Sequence, residues 1–202
     1  MLKIDYLTVP GLPPVSFDVA VHECLAVEGP SGSGKTRLLR AIADLDAADG
    51  FVFLEGIERR ELPGPEWRRR VRYASAEHAW WGSSVAEHFP PCAKLGRMLS
   101  ALGLAADVLG RQVAELSTGE RQRLGLARAI ADSPSVLLLD EPTAALDPVS
   151  TALAEELIKL QLMAGRIVVL VSHDVVQIER LAHRRLKLAD LGRYNEWDSA
   201  AA

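Results

Sequence analysis

The stretch Gly29-Pro30-Ser31-Gly32-Ser33-Gly34-Lys35-Thr36 satisfies every fixed position of the phosphate-loop pattern GxxxxGK[ST]. An apolar run, Cys24-Leu-Ala-Val27, leads into it, and a helix-compatible stretch from Thr36 to Ala43 leads out, so the expected order is strand, glycine loop, helix. Gly29, Gly32 and Gly34 lack the Cβ atoms that would keep backbone N–H groups from turning inward around a polyphosphate. The helix beginning near Lys35 adds unpaired N–H groups and the positive end of its dipole, worth about 0.3–1 kcal/mol to an anion at an exposed site. Lys35 is expected to reach the β and γ phosphates, and the Thr36 hydroxyl to bind Mg²⁺. A plain glycine turn between a strand and a helix requires neither the Lys nor the Thr.

Working outward, 202 residues suffice for one domain with a full hydrophobic core and are too few for two ordinary ones. A net charge of −4, with acids and bases interspersed, indicates neither a nucleic-acid groove nor a polybasic membrane anchor. Cys24 and Cys92 lie far apart, which argues against a zinc site or a disulfide framework, and Cys24 reads as a small apolar core residue. The N-terminal residues lack the apolar core of a secretion signal, and no stretch approaches the roughly 18 apolar residues of a membrane span. The expectation is a cytoplasmic protein, with any membrane work left to a partner.

Along the chain, Leu2 to Val9 alternates as a strand, Pro10 to Pro14 interrupts, and a second strand is expected around Val15 to Val21, giving a hairpin-like start. Phe51-Val-Phe-Leu54 and Val71 to Ala74 read as short strands, separated by a charged stretch, Arg59 to Arg72, expected to be a solvated helix face. Trp80 and Trp81 sit on one loop, either as core or with one exposed as a contact surface. Val85 to Leu116 is read as a helix-rich insertion, and Ser199 to Ala202 as a frayed tail. Val136-Leu-Leu-Leu-Asp140 and Arg166-Ile-Val-Val-Leu-Val-Ser172 are apolar runs without alternation. Such runs indicate strands covered on both faces, hence an α/β fold with a mostly parallel sheet.

Asp140 ends one of these strands, where a Mg²⁺-holding carboxylate belongs in a phosphate-loop enzyme, and Glu141 follows it. One carboxylate to position a metal and an adjacent one to orient or deprotonate water is a division of labour that hydrolysis needs and nucleotide binding alone does not. Leu116-Ser-Thr-Gly-Glu-Arg-Gln-Arg123 places Ser117 and Gly119 where a helix would start, with a hydroxyl and free N–H groups facing a potential anion.

This run resembles the LSGGQ signature of the ATP-binding cassette (ABC) family, with Thr118 for the first Gly and Glu120 for the Gln. The phosphate loop, the signature, Arg128 in Leu-Ala-Arg-Ala-Ile130 and Leu-Leu-Leu-Asp-Glu-Pro142 follow in the family's order. Ala145-Leu-Asp147 resembles its D-loop, and His173 its switch histidine, a sensor of the γ-phosphate. The resemblance covers nearly the whole chain. It implies a single ABC ATPase domain over residues 1–202: a P-loop NTPase (RecA-like) core at 1–76 and 132–198, an N-terminal antiparallel β part, and a small helical subdomain near 77–131. It further implies that ATP and Mg²⁺ are bound and that ATP is hydrolysed by a head-to-tail pair. Ser117, Gly119, Glu120 and Asp147 of one subunit then cover the nucleotide on the other's phosphate loop.

The implied function is the energy-supplying subunit of an ABC transporter, a homodimer or a pseudo-symmetric dimer with another ABC subunit. It would be held at the inner face of the cell membrane by separately encoded permease subunits. The alternatives are a soluble ABC ATPase outside transport, or a poorly hydrolysing regulatory subunit. Two departures bear on this choice. Tyr73-Ala-Ser-Ala76 puts an alanine where the family's Q-loop glutamine contacts Mg²⁺ or water, with Glu77 as a potential stand-in. No aromatic stands where the family stacks one on adenine; Tyr6 comes early, leaving Leu12 or Val15 as apolar substitutes.

Overall fold

The computed structural model describes residues 1–90 and 94–188, so Cys92 and the tail at 199–202 lie outside the described residues. The chain begins with β1 (Leu2–Thr8) and β2 (Val15–Val19), runs through β3 (Cys24–Glu28) into α1 (Lys35–Ile42), and returns as β4 (Asp49–Leu54) and β5 (Ile57–Glu58). Strands β1, β2, β4 and β5 form an antiparallel sheet in the order β2-β1-β4-β5. The hairpin start is therefore present, and β2 ends two residues before the expected limit. A bulge between Ile4 and Leu7, where Tyr6 takes φ +48°, shifts the alternation so that Leu2, Ile4 and Leu7 all point inward.

Next come α2 (Gly64–Arg70), β6 (Val71–Ala74), α3 (Leu95–Ala101), α4 (Thr118–Ala131), β7 (Val136–Asp140), α5 (Pro148–Met163), β8 (Ile167–Val171), α6 (Val175–Leu181) and β9 (Arg184–Lys187). The second sheet, β6-β7-β8-β3-β9, is parallel throughout. Every residue of β7 and β8 is buried, because the sheet is a middle layer. Leu137, Leu139, Val168 and Leu170 face a cluster built with α3, α4 and α5, while Val136, Leu138, Ile167 and Val169 face the antiparallel sheet, α1 and α2. Covering on both sides explains why these strands are apolar without interruption.

Two expectations need correction. The charged stretch is not one solvated face: Arg59 is 4% exposed and donates to the Ala41 carbonyl, Arg68 reaches Asp44, and Trp67 is fully buried. Residues 85–116 are also less helical than expected. Among the described residues they hold one α-helix, α3, and three short 3-10 turns (Val85–His88, Ala106–Gly110 and Val113–Glu115). Gly103, at φ +64°, ends α3's turn, and the 3-10 turns at Val85–His88 and Val113–Glu115 carry capping boxes, so local caps compete with helix propagation.

Trp67 anchors α2 to α1, its indole N–H donating to the Ile42 carbonyl at 2.9 Å. Trp67→Phe orphans that carbonyl and is expected to cost about 1–3 kcal/mol, whereas Trp67→Ala should cost about 3–5 kcal/mol in urea denaturation. A loss below about 1 kcal/mol for the alanine variant contradicts this anchoring role.

Candidate active site

The phosphate loop connects β3 to α1, and its last glycine, Gly34, stands at the helix N-cap with φ +93°. A side chain there would be strained by the backbone and would also collide with Leu12, 2.8 Å from the position a Cβ would take. Lys35 is 7% exposed and its Nζ donates to the carbonyls of Gly29 (2.7 Å) and Pro30 (3.0 Å), curling over the loop. Ser33 Oγ is buried with no hydrogen-bond partner. An orphaned hydroxyl and a cation inside a cradle of N–H groups suit the oxygens of a polyphosphate.

At the end of β7, Asp140 Oδ2 accepts from Thr36 Oγ1 at 2.7 Å and from the Tyr73 hydroxyl at 2.9 Å. Burial and the Asp140 charge push the Tyr73 phenol up, so it stays a donor. Thr36 and Asp140 offer adjacent hard oxygens, the donor set Mg²⁺ takes when phosphates supply much of the rest. Among the described residues no group of three or more His, Cys, Asp or Glu could hold a metal alone.

Glu141 sits at φ +50°, in the left-handed region that a glutamate rarely adopts. Its N–H donates to Val171 O at 2.9 Å, its Oε2 accepts weakly from His173 N at 3.4 Å, and Oε1 is buried without a hydrogen-bond partner, 3.6 Å from His173 Nε2. Burial pushes its carboxyl above the usual range, against the opposing pull of the His173 N–H. Ser31, Gly32, Ser33, Gly34, Lys35, Thr36, Asp140, Glu141 and His173 line one cavity of about 390 Å³.

The signature residues stand elsewhere. Ser117 caps α4, its Oγ accepting from Glu120 N at 3.2 Å, while Glu120 Oε2 accepts from Ser117 N and Oγ at 2.9 Å each. The Ser117 N–H bond, with help from Arg111, holds the Glu120 carboxyl below the usual range. Asp147 caps α5, accepting from Val149 N, Ser150 N and Ser150 Oγ, and the Ser150 hydroxyl leads in lowering its carboxyl. Ser117, Gly119, Glu120 and Asp147 are not part of the phosphate-loop cavity within one chain.

A family model described as "ABC transporter" matches residues 12–144. The chain belongs to the ABC transporter family. Protein STAR1 of Oryza sativa subsp. japonica is 39% identical over 180 residues, 83% of this chain and 52% of its own length. The glycine betaine uptake system ATP-binding protein YehX of Escherichia coli (strain K12) is 40% identical over 179 residues, 81% of this chain and 58% of its own length. The chain thus spans little more than half of these relatives. A solved dimeric ATP-binding cassette in a post-hydrolysis state, bound to ADP and Pi, superposes with a TM-score of 0.80 at 25% identity, covering 93% of this chain and 94% of that one.

Against this ABC background the departures take shape. Ala76 lines a groove of about 980 Å³ together with Glu141, Ser172 and His173, while Glu77 is solvent-exposed. Of the two apolar candidates for the base, Val15 is fully buried in the antiparallel sheet, whereas Leu12 lies against Gly34. Tyr6 is 66% exposed on the bulge of β1. Of the two tryptophans, Trp81 is 72% exposed and Trp80 packs against the core, with the Arg128 guanidinium 4.9 and 5.0 Å from the two rings. Next to them His78 packs onto Gly125 of α4 where any Cβ would overlap its ring, and burial pulls its imidazole down to about 4. Cys24 is fully buried, its thiol pushed up to about 12 by desolvation, as suits an inert core residue. Among the described residues no helix is long and apolar enough to cross a membrane.

Sequence reading missed two side chains here. Tyr73 and Gln122, the latter 4% exposed, carry no motif of their own. The signal available for both was their place beside a motif residue.

Because its pKa is raised, Glu141 binds its proton more tightly folded than unfolded, so its ionisation removes stability as pH rises through that value. Glu141→Gln should therefore melt higher than the wild type near neutral pH, with the gap closing as the pH falls toward 4. Thermal melts across that range check it, and a variant less stable at neutral pH contradicts it.

Proposed function

We propose that this chain binds Mg-ATP and hydrolyses it as the energy-supplying subunit of an ABC transporter, with permease subunits on separate chains. The observation that carries the reading is the single cavity in which the phosphate loop, Asp140, Glu141 and His173 meet. In this reading the loop N–H groups and Lys35 hold the phosphates, and Thr36 and Asp140 hold Mg²⁺. Glu141 orients and deprotonates the attacking water, and its raised carboxyl favours that task near neutral pH. His173 faces the γ-phosphate. The bound group supplies the scissile triphosphate and a metal charge to neutralise its oxygens; the chain supplies position and the base.

Two copies then close head to tail, each with the N-terminus of α4 over the other's nucleotide: Ser117 and Gly119 toward the phosphate, with Glu120 and Asp147 at the seam. Residues 77–131 serve as the helical subdomain that carries this signature. The dimeric form of the solved cassette supports the arrangement. The permease contact falls on the loop around Trp80 and Trp81, because an exposed tryptophan beside a partly buried cation is typical of a contact surface. Held there, the protein works at the inner face of the cell membrane.

Lys35→Ala should abolish measurable ATP binding in a titration, while Glu141→Gln should keep binding, lower turnover by about a hundredfold or more and yield an ATP-dependent dimer. Unchanged affinity in the first, or a persistent monomer in the second where the wild type dimerises, counts against the proposal. Trp81→Glu should leave ATP binding intact and remove copurification with the permease; retained copurification moves the contact elsewhere.

A further inference from the structure

The side-chain amide of Gln122 joins three parts of the site and is used by none of the roles above. It lies on α4, five residues after Ser117, and is 4% exposed. Its Nε2 donates to the Glu141 carbonyl at 2.7 Å, and its Oε1 accepts from Ala145 N at 2.8 Å. Both ends of the amide are satisfied, and the partners, a carbonyl and an N–H, fix which end is which. One end holds the residue with φ +50°, and the other holds the turn leading to the Asp147 cap.

The Glu141 carboxylate is poorly anchored by its own contacts: Oε1 has no hydrogen-bond partner, and the Oε2 contact is a long 3.4 Å. Its placement therefore depends on its backbone. That backbone is held at N by Val171 O and at O by Gln122 and, at 3.3 Å, by Ala144 N. The bond from Gln122 is shorter by 0.6 Å than the bond from Ala144 and comes from a different element.

We infer that Gln122 is a positioning residue which sets the general base: through its amide, the placement of α4's N-terminus is passed within one chain to Glu141 and to the turn before Asp147. This rests on the proposed roles of Glu141 and Ser117. A helix is stiff over five residues, so a Ser117 drawn onto a neighbour's phosphate moves Gln122 with it, and two short hydrogen bonds carry the movement to the base. Few side chains fit the position. Glu lacks the donor for the carbonyl, Met lacks both functions, and Asn is one methylene short.

The test measures kcat and KM for ATP, per ATP-binding site, in Gln122→Met and Gln122→Glu, alone and combined with Glu141→Gln. The expected result is a fall in kcat of about tenfold or more with KM changed by less than about twofold. In the Glu141→Gln background, Gln122→Met should add less than about twofold, since it acts through the residue already disabled. A kcat per site within about twofold of wild type in both single variants, or full additivity with Glu141→Gln, overturns the inference. A merely structural role would lower the melting temperature and leave the kcat of each binding-competent site unchanged.

Amide hydrogen exchange of the wild-type protein adds a readout that needs no variant. The Ala145 N–H should exchange slowly, whereas exchange at the rate of an open loop overturns the clamp even where the variants fail to fold. If Glu141→Gln alone left turnover intact, the assignment of the base would fall, and the Ala145 exchange would still decide whether the clamp exists.

Discussion

Parallel pairing of five strands is the constraint on which the site depends, because it brings their carboxyl ends to one edge of the sheet. Tyr73 comes from β6, Asp140 and Glu141 from the end of β7, His173 from beyond β8, and the phosphate loop from beyond β3. These segments lie far apart in sequence and meet only because register aligns β6, β7, β8 and β3 side by side. The Thr36–Asp140 hydrogen bond closes the arrangement, tying the first turn of α1, which follows β3, to β7, a strand that does not pair with β3.

The same edge collects strained and unpartnered groups. A glutamate in the left-handed region, a carboxylate oxygen and a serine hydroxyl buried without partners, and a lysine folded onto backbone carbonyls each cost stability where they stand. The two apolar clusters on either face of the sheet offset that cost, being continuous and fully buried at their centres. Strain and unsatisfied polarity occur elsewhere too, at Glu55 and Glu58 among others, but at this edge they line the phosphate-loop cavity.

Around the phosphate loop and Ala76, neighbouring packing shows how the space is used. Leu12 closes over Gly34. After Ala76, the His78 ring packs on Gly125, so this loop is attached closely to α4. Trp80, Trp81, His88 and Arg128 pack against one another beside that attachment.

By itself the sequence determined the phosphate loop and the two buried parallel strands, and it singled out Asp140 and Glu141, with His173 added by resemblance, as candidates that the fold brings to one cavity. The loop and the strands are local patterns: glycines at fixed spacing and apolar runs without alternation. Only the tertiary structure decided that Val15 is buried while Leu12 covers the loop, that Arg59 is buried, and that Tyr73 bonds the Asp140 carboxylate and Gln122 the Glu141 carbonyl. The reason is physical. A hydrogen bond from α4 to the turn after β7, or from β6 to Asp140, joins residues whose approach is set by sheet register and helix packing, and no local spacing encodes those distances.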